Sequence, residues 1–236
     1  MTTRVNIHGK NNPQISTLIF DVSGVILNDL YTVWKADSEA YESCGIGKIS
    51  SIEIFKESFK MPILEYHRSM GVPDKVIPEL EAAYRQSYQK YSKFIKIFPD
   101  VKRTLKKLKQ NGITLSIASN IPSDFLMEHL KSFGIINYFN AITGQDDCEE
   151  QKPSPKPILV TLRKLDAKPM SSAYVGDMEE DIIAGKRAGV FTIGICRKMG
   201  YHPYWKLKRQ NPDFLIKNLS QIFEIIKTNQ AKTTQK

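Results

Sequence analysis

Apolar and polar positions along this chain follow two different rhythms. The first clear run, Thr17-Leu-Ile-Phe-Asp21-Val-Ser23-Gly24-Val25, is apolar and ends in an aspartate and a glycine-containing turn. That is the pattern of a buried strand running into a tight loop. From about residue 28 to 95 the spacing is helical. Tyr31, Trp34, Ser38 and Tyr41 recur near the helical period, and the pattern stops at Gly45. Ile52–Phe59, Ile63–Met70 and Lys75–Tyr91 read as further helices, broken at Pro62 and at Gly71-Val-Pro73. Residues 28–95 are therefore expected to form a helical insert without strands.

After Phe98-Pro-Asp100 helices alternate with strands. The helices fall at Val101–Gln110, Phe125–Phe133, Ile158–Leu165 and Asp181–Ala188, and the strands at Ile113–Ala118, Ala141–Thr143, Ser172–Val175 and Val190–Ile195. Asp213–Ile216 adds a short strand before a last helix through Ile226. Such alternation predicts βαβ units, hence an α/β fold with a Rossmann-like parallel sheet covered by helices on both faces. Residues 1–27 and 96–236 then make the α/β core, with a polar arm at 1–14 and a frayed tail at 228–236, and residues 28–95 the helical insert.

The 236-residue chain is 41% hydrophobic and 25% charged, values of an ordinary globular protein. No apolar run approaches the ~20 residues that span a bilayer, and the N-terminus lacks the apolar core of a secretory signal. Three scattered cysteines, without CxxC spacing, argue against a zinc site or disulfide framework and fit a reducing cytoplasm. A net charge of +9 raises nucleic acid as a partner. The lysines nevertheless lie on the solvated faces of amphipathic helices, such as the one with Val101, Leu105 and Leu108 on its apolar side. One denser basic and aromatic patch, from Arg197 to Arg209, admits single-strand binding or a loop that packs its aromatics and solvates its cations. On balance the pattern weighs against nucleic acid and against a membrane, and a monomer or homodimer is expected.

Four polar points follow expected strands: Asp21; Ser119-Asn120; Lys152 before Pro153-Ser-Pro155; and Gly176-Asp177-Met-Glu-Glu-Asp181. In a doubly wound sheet these loops meet along one edge. Phosphoryl transfer needs a nucleophile, a cation held by oxygens and donors for the phosphoryl oxygens. Asp21 and Asp177 suit Mg²⁺, Ser119 and Lys152 suit the phosphate, and a carboxylate can itself attack phosphorus. Each has a plainer alternative. Asp21 can be a turn residue, Ser119-Asn120 or Asp177 can cap the next helix, Lys152 can be a solvated loop lysine, and Asp181 can sit at a helix first turn.

Together, Phe-Asp21-Val-Ser23-Gly-Val, Ile-Ala-Ser119-Asn120, Gln-Lys152-Pro-Ser-Pro and Val-Gly-Asp177-Met-Glu-Glu-Asp181 resemble the four motifs of the haloacid dehalogenase-like hydrolase superfamily. The resemblance runs from about Leu18 to Ile226. It places the insert where the phosphoglycolate phosphatase-like branch carries a mobile C1-type cap. It implies Asp21 as covalent nucleophile, Ser119 and Lys152 as phosphoryl ligands, and Asn120 as an aid to positioning the phosphoryl group. It implies Mg²⁺ on Asp21, Asp177 and the main-chain carbonyl of Ser23, with Asp181 in support. Glu65, His67 and Arg68 are candidate cap contacts, although His67 also reads as a surface helix residue.

Ser23 departs from the pattern. Phosphatases of the superfamily carry there a second aspartate for acid/base work, and losing a general acid/base costs typically ~10²–10⁴-fold in rate. The expectation is a phosphatase of a small phosphorylated metabolite acting through an aspartyl-phosphate. Two alternatives are a phosphonoacetaldehyde hydrolase-like enzyme using a cap lysine, Lys35 or Lys60, and a phosphate-binding protein with little turnover. Dehalogenases also lack that aspartate, but their metal-free sites do not keep a Gly-Asp-xxx-Asp fourth motif.

Overall fold

Thr17–Phe20 is buried at every position and lies inside the main sheet, with a parallel strand on either side. The computed structural model describes residues 3–4 and 14–230. Its strands are β1 (Thr3–Arg4), β2 (Thr17–Phe20), β3 (Leu27–Asn28), β4 (Lys96–Ile97), β5 (Thr114–Ala118), β6 (Ala141–Thr143), β7 (Ser172–Gly176), β8 (Phe191–Ile195) and β9 (Phe214–Ile216). The main sheet has the order β1-β9-β8-β7-β2-β5-β6. Six of its strands are parallel, with Leu18 beside both Leu115 and Ala173, and only the edge strand β1 runs antiparallel. Central parallel strands are covered on both faces and so read as unbroken apolar runs, which explains why β2, β5 and β7 were plain in the sequence.

Two compact units are distinct: Met1–Ile26 with Ile97–Lys236, and Leu27–Lys96. The first is an α/β, Rossmann-like unit. Its helices are α5 (Val101–Gln110), α6 (Ser123–Ser132), α7 (Lys156–Lys164), α8 (Glu179–Arg187), α9 (Tyr204–Arg209) and α10 (Ile222–Gln230). Ile19, Ala118, Ile158, Leu162, Tyr174, Ala184 and Val190 form a continuous core between sheet and helices. Each large aliphatic buried there contributes roughly 1.5–3 kcal/mol. On α5, Val101, Thr104, Leu105 and Leu108 are buried and the intervening lysines are exposed.

The second unit is helical, with α1 (Leu30–Ser43), α2 (Ile52–Ser58), α3 (Ile63–Ser69) and α4 (Ile77–Tyr91). Helices α1 and α4 pack along each other, joined by Thr32 Oγ1 to the Tyr91 carbonyl (3.1 Å) and by Lys90 to Glu39 (2.7 Å). Tyr41, Phe55, Phe59, Tyr66 and Leu80 fill its interior.

The helical insert is flanked by β3 and β4, which pair as a two-stranded sheet at its two ends; two residues each are too few to show a period in the sequence. Three expectations need correction. Helices α6, α7 and α8 each begin two residues earlier than the apolar spacing indicated, since a first turn needs no apolar residue. Thr3–Arg4 of the expected polar arm pairs with Leu215 and Phe214. The last helix runs to Gln230 rather than Ile226. The rest of the arm, and residues 231–236 of the expected tail, lie outside the described residues. Among the described residues no helix is long and apolar enough to cross a membrane.

Candidate active site

The carboxyl ends of β2, β5 and β7 deliver the site. Beyond Phe20 the pairing with β7 continues for one residue, the Asp21 amide donating to the Val175 carbonyl (2.9 Å). The chain then turns sharply, with the Ile26 amide on the Val22 carbonyl (2.9 Å) and Gly24 at φ +69°. Gly24 is required twice over. Its backbone is left-handed, and a Cβ there would overlap the Asp177 carboxylate. Gly176 makes similar room, because a Cβ on it would overlap the Asp181 side chain.

Lys152 is 3% exposed, and its ammonium spends three short contacts on Asp21 Oδ1 (2.8 Å), Asp181 Oδ1 (2.7 Å) and the Tyr174 hydroxyl (2.8 Å). Tyr174 in turn donates to the Ala118 carbonyl (2.7 Å). Burial works against the charge on Lys152, but the Asp181 and Asp21 carboxylates outweigh it and hold the ammonium protonated far above its ordinary range. Burial also raises the Asp21 carboxyl above its usual range, opposed by Lys152. The reading of Lys152 as a solvated loop lysine does not hold.

Asn120 brackets the Lys152 backbone, its Oδ1 accepting the Lys152 amide (3.2 Å) and its Nδ2 donating to the Lys152 carbonyl (3.4 Å). Ser119 is 1% exposed, with its amide on the Thr143 carbonyl of β6 (3.0 Å) and its Oγ accepting from the Ile121 amide (3.4 Å). Neither caps α6, which follows Pro122 without a side-chain cap. Asp181 sits in the first turn of α8 and also reaches Lys152. Its Oδ2 accepts the Met178 amide at the start of α8 (2.9 Å), while its Oδ1 holds Lys152. Asp177 is fully buried, its Oδ2 taking the Tyr201 amide (2.7 Å).

Carboxylate oxygens of Asp21, Asp177 and Asp181 lie within 4.8 Å of one another. Three buried carboxylates gathered this closely repel one another, which is costly in a dry site unless cations offset them; Lys152 lies on Asp21 and Asp181, and the Arg197 guanidinium acts on Asp177. A small divalent cation taking hard oxygen ligands fits this donor set.

Several contributors were not singled out in the sequence. Tyr174 read as strand filler. The loop after β8 supplies the Tyr201 amide, which carries no sequence signal. Arg197, counted with the basic patch, is instead half-buried with its side chain turned inward, Nε on the Val25 carbonyl (3.1 Å), an ion pair to Asp100 (3.0 Å) and its guanidinium over Phe98. His202 accepts the Glu179 amide at Nδ1 (3.0 Å) and so secures the start of α8. The rest of the patch is not simply a loop, since Tyr204–Arg209 forms α9. Leu207 is buried there, Trp205 is 58% exposed, and Arg209 pairs with Glu179 (2.8 Å).

The helical unit places its candidates differently. Glu65 is exposed. Arg68 is exposed but engaged, with two bonds to Asp74 (2.9 and 2.8 Å). His67 is neither a surface residue nor available as a ligand contact. It is 4% exposed, its Nδ1 meets the Tyr41 hydroxyl (2.9 Å), and burial pushes its pKa down to about 4.

The profile of the haloacid dehalogenase-like hydrolases matches residues 18–195. A phosphoglycolate phosphatase of Vibrio vulnificus is 27% identical over 222 residues, covering 90% of this chain and 96% of that protein. A pyrophosphatase PpaX of Halalkalibacterium halodurans is 27% identical over 214 residues, covering 90% and 97%. Among solved structures, a hydrolase from Pseudomonas syringae superposes with TM-score 0.79 at 21% identity, over 91% of this chain and 99% of that one.

Proposed function

The chain belongs to the haloacid dehalogenase-like hydrolase family, and from that premise we propose that it is a Mg²⁺-dependent phosphatase of a small phosphorylated metabolite, with Asp21 as the nucleophile. The observation that carries this reading is the buried cluster in which carboxylate oxygens of Asp21, Asp177 and Asp181 lie within 4.8 Å of one another, with the Lys152 ammonium on Asp21 and Asp181. Asp21 and Asp177, with the main-chain carbonyl of Ser23, would hold Mg²⁺, and Asp181 would support them. When bound, the ion neutralises charge on the transferring phosphoryl group.

The chain's own residues account for the rest. A carboxylate of Asp21 attacks phosphorus and forms an aspartyl-phosphate. Lys152 would turn one of its three donors from its present partners Asp21, Asp181 and Tyr174 to a phosphoryl oxygen, and Ser119 would supply a hydroxyl. Asn120 acts one step back, by fixing the Lys152 backbone. Residues 28–95 are proposed as the unit that selects the substrate. Glu65 remains a candidate contact, and Arg68 does so if it leaves Asp74; His67 is withdrawn. The carbon–phosphorus alternative gains nothing from Lys35, whose ammonium sits over the half-exposed Trp34 ring at 4.3 Å. Free thiols at Cys44, Cys148 and Cys196 suit a cytoplasmic location.

The relatives named above cleave a phosphate ester in one case and a phosphoanhydride in the other. They agree on phosphoryl transfer and divide on the leaving group. Phosphate release from a panel of metabolite phosphates, with and without Mg²⁺, tests the proposal. Release that needs Mg²⁺ and is lost in Asp21→Asn is expected; undiminished release by Asp21→Asn overturns the covalent mechanism.

A further inference from the structure

Ser23 is half-buried on the turn that follows Asp21, next to the glycine that packs against Asp177. The polar side chains gathered with Asp21 at the strand ends are Ser119, Asn120, Lys152, Tyr174, Asp177 and Asp181. None of them is a proton donor of intermediate strength. Serine hydroxyls and the Asn120 amide have no acidity near neutrality. Lys152 is an ammonium gripped by the Asp21 and Asp181 carboxylates, and the Tyr174 hydroxyl is spent on the Ala118 carbonyl; neither group is acidic near neutrality. Asp177 and Asp181 are engaged as acceptors, Asp177 of the Tyr201 amide and Asp181 of the Met178 amide and the Lys152 ammonium. The described histidines are committed elsewhere or lie on other elements: His67 to Tyr41, His202 to the Glu179 amide, and His129 within α6.

Without such a donor among the described residues at these strand ends, the leaving group has to depart from them as it stands. An alkyl phosphate ester would leave as an alkoxide, with a basicity near that of hydroxide, whose conjugate acid water has a pKa of about 15.7. A phosphoanhydride leaves as a phosphate, whose second ionisation is near about 6. An acyl phosphate leaves as a carboxylate, near about 4. We infer that Ser23 confines this site to phosphoryl donors whose leaving group departs as a stable anion, acyl phosphates and organic phosphoanhydrides, and that it excludes alkyl phosphate esters. The inference rests on the phosphatase reading above and selects among its substrates.

The chemistry balances without an added acid. An Asp21 oxygen bonds to phosphorus while the bond from phosphorus to the leaving oxygen breaks, and the leaving carboxylate or phosphate keeps the electron pair. In the second step water attacks phosphorus, the bond to Asp21 breaks, and its pair returns to the Asp21 carboxylate. The water protons pass to the released phosphate and to solvent. That step also needs no acid, since aspartyl-phosphate is itself an acyl phosphate. It does lack a base to take the proton from water, so the covalent intermediate persists.

The test compares acetyl phosphate with glycerol phosphate on the full chain with Mg²⁺, for wild type, Ser23→Asp and Asp21→Asn. The readouts are kcat/KM and the phosphorylated protein seen by mass spectrometry after acid quench. Wild type is expected to favour acetyl phosphate and to accumulate a phosphoenzyme. Ser23→Asp is expected to raise turnover of glycerol phosphate by ~10²–10⁴-fold, to change that of acetyl phosphate far less, and to shorten the life of the phosphoenzyme. Should Ser23→Asp fail to fold, the fall of wild-type rates across aryl phosphates of increasing leaving-group basicity gives the same information. Asp21-dependent turnover of glycerol phosphate by wild type at the rate of acetyl phosphate overturns the inference and leaves the phosphatase standing. Absence of any Asp21-dependent phosphoenzyme or phosphate release from either donor removes both.

Discussion

Lys152 Nζ lies 2.8 Å from Asp21 Oδ1, with 3% and 8% of the two side chains exposed. The same ammonium is 2.7 Å from Asp181 Oδ1. One lysine thus sets the charge of the proposed nucleophile and of a carboxylate that anchors α8.

Lys152→Met leaves these carboxylates buried without their cation. Removing one partner of a buried pair costs about 3–5 kcal/mol. The expected result is a lower urea midpoint at an unchanged m-value, partly recovered by Mg²⁺, which stabilises the state that binds it. A midpoint equal to that of wild type contradicts the pairing.

Tyr174→Phe keeps the ring in the core but strands a Lys152 proton and the Ala118 carbonyl. An unsatisfied buried polar group costs about 1–3 kcal/mol. Because Lys152 is expected to hold the phosphoryl group, KM should rise along with the loss of stability. A stability loss with unchanged KM would reduce Tyr174 to a core residue.

Gly24→Ala forces a Cβ into a left-handed position and against Asp177. The backbone alone costs about 1–2 kcal/mol. Displacing Asp177 should weaken Mg²⁺ binding by ~10–100-fold, the range seen when the supports of metal ligands are removed. Calorimetric titration with Mg²⁺ reads this directly, and unaltered affinity counts against Asp177 as a ligand.

Burial raises Asp37 on α1 from 3.8 to about 7, with the nearby Tyr66 hydroxyl pulling the other way. Tyr41 and Tyr84 also face it, and His67 at about 4 stays neutral over the upper part of this range. A carboxyl whose folded pKa is raised stabilises below the unfolded value and loses that stability as pH rises through the folded one. Wild-type stability should therefore decline between about pH 4 and pH 7, by at most about 4 kcal/mol from this group. Thermal unfolding of Asp37→Asn should lack that decline; the same slope in both proteins would rule out Asp37 as its source.

Much of this site could be read from residues alone, because parallel strands are apolar throughout and their ends stand out as the first polar positions. Asp21, Ser119 and Asp177 stand directly after β2, β5 and β7, and their order on the sheet follows from topology. What could not be read depends on contacts distant in the chain. Lys-Pro-Ser-Pro looks like a solvated loop, and only the converging carboxylates make Lys152 a buried residue. Tyr174 is indistinguishable from strand filler until its hydroxyl meets Lys152 and Ala118. The Tyr201 amide is main chain and has no signature. Arg197 looked like one cation of a basic patch, while Asp100, Val25 and Phe98 draw it inward. His67 followed the polar face of a short helix by spacing, yet Tyr41 turns it into the core.

The central claim is that phosphoryl transfer passes through Asp21. The most direct measurement is peptide mapping of the acid-quenched protein after mixing with acetyl phosphate and Mg²⁺. A phosphoryl group on Asp21, absent from Asp21→Asn, is the predicted result. A phosphoryl group on a different residue, or phosphate release that continues in Asp21→Asn, would contradict it.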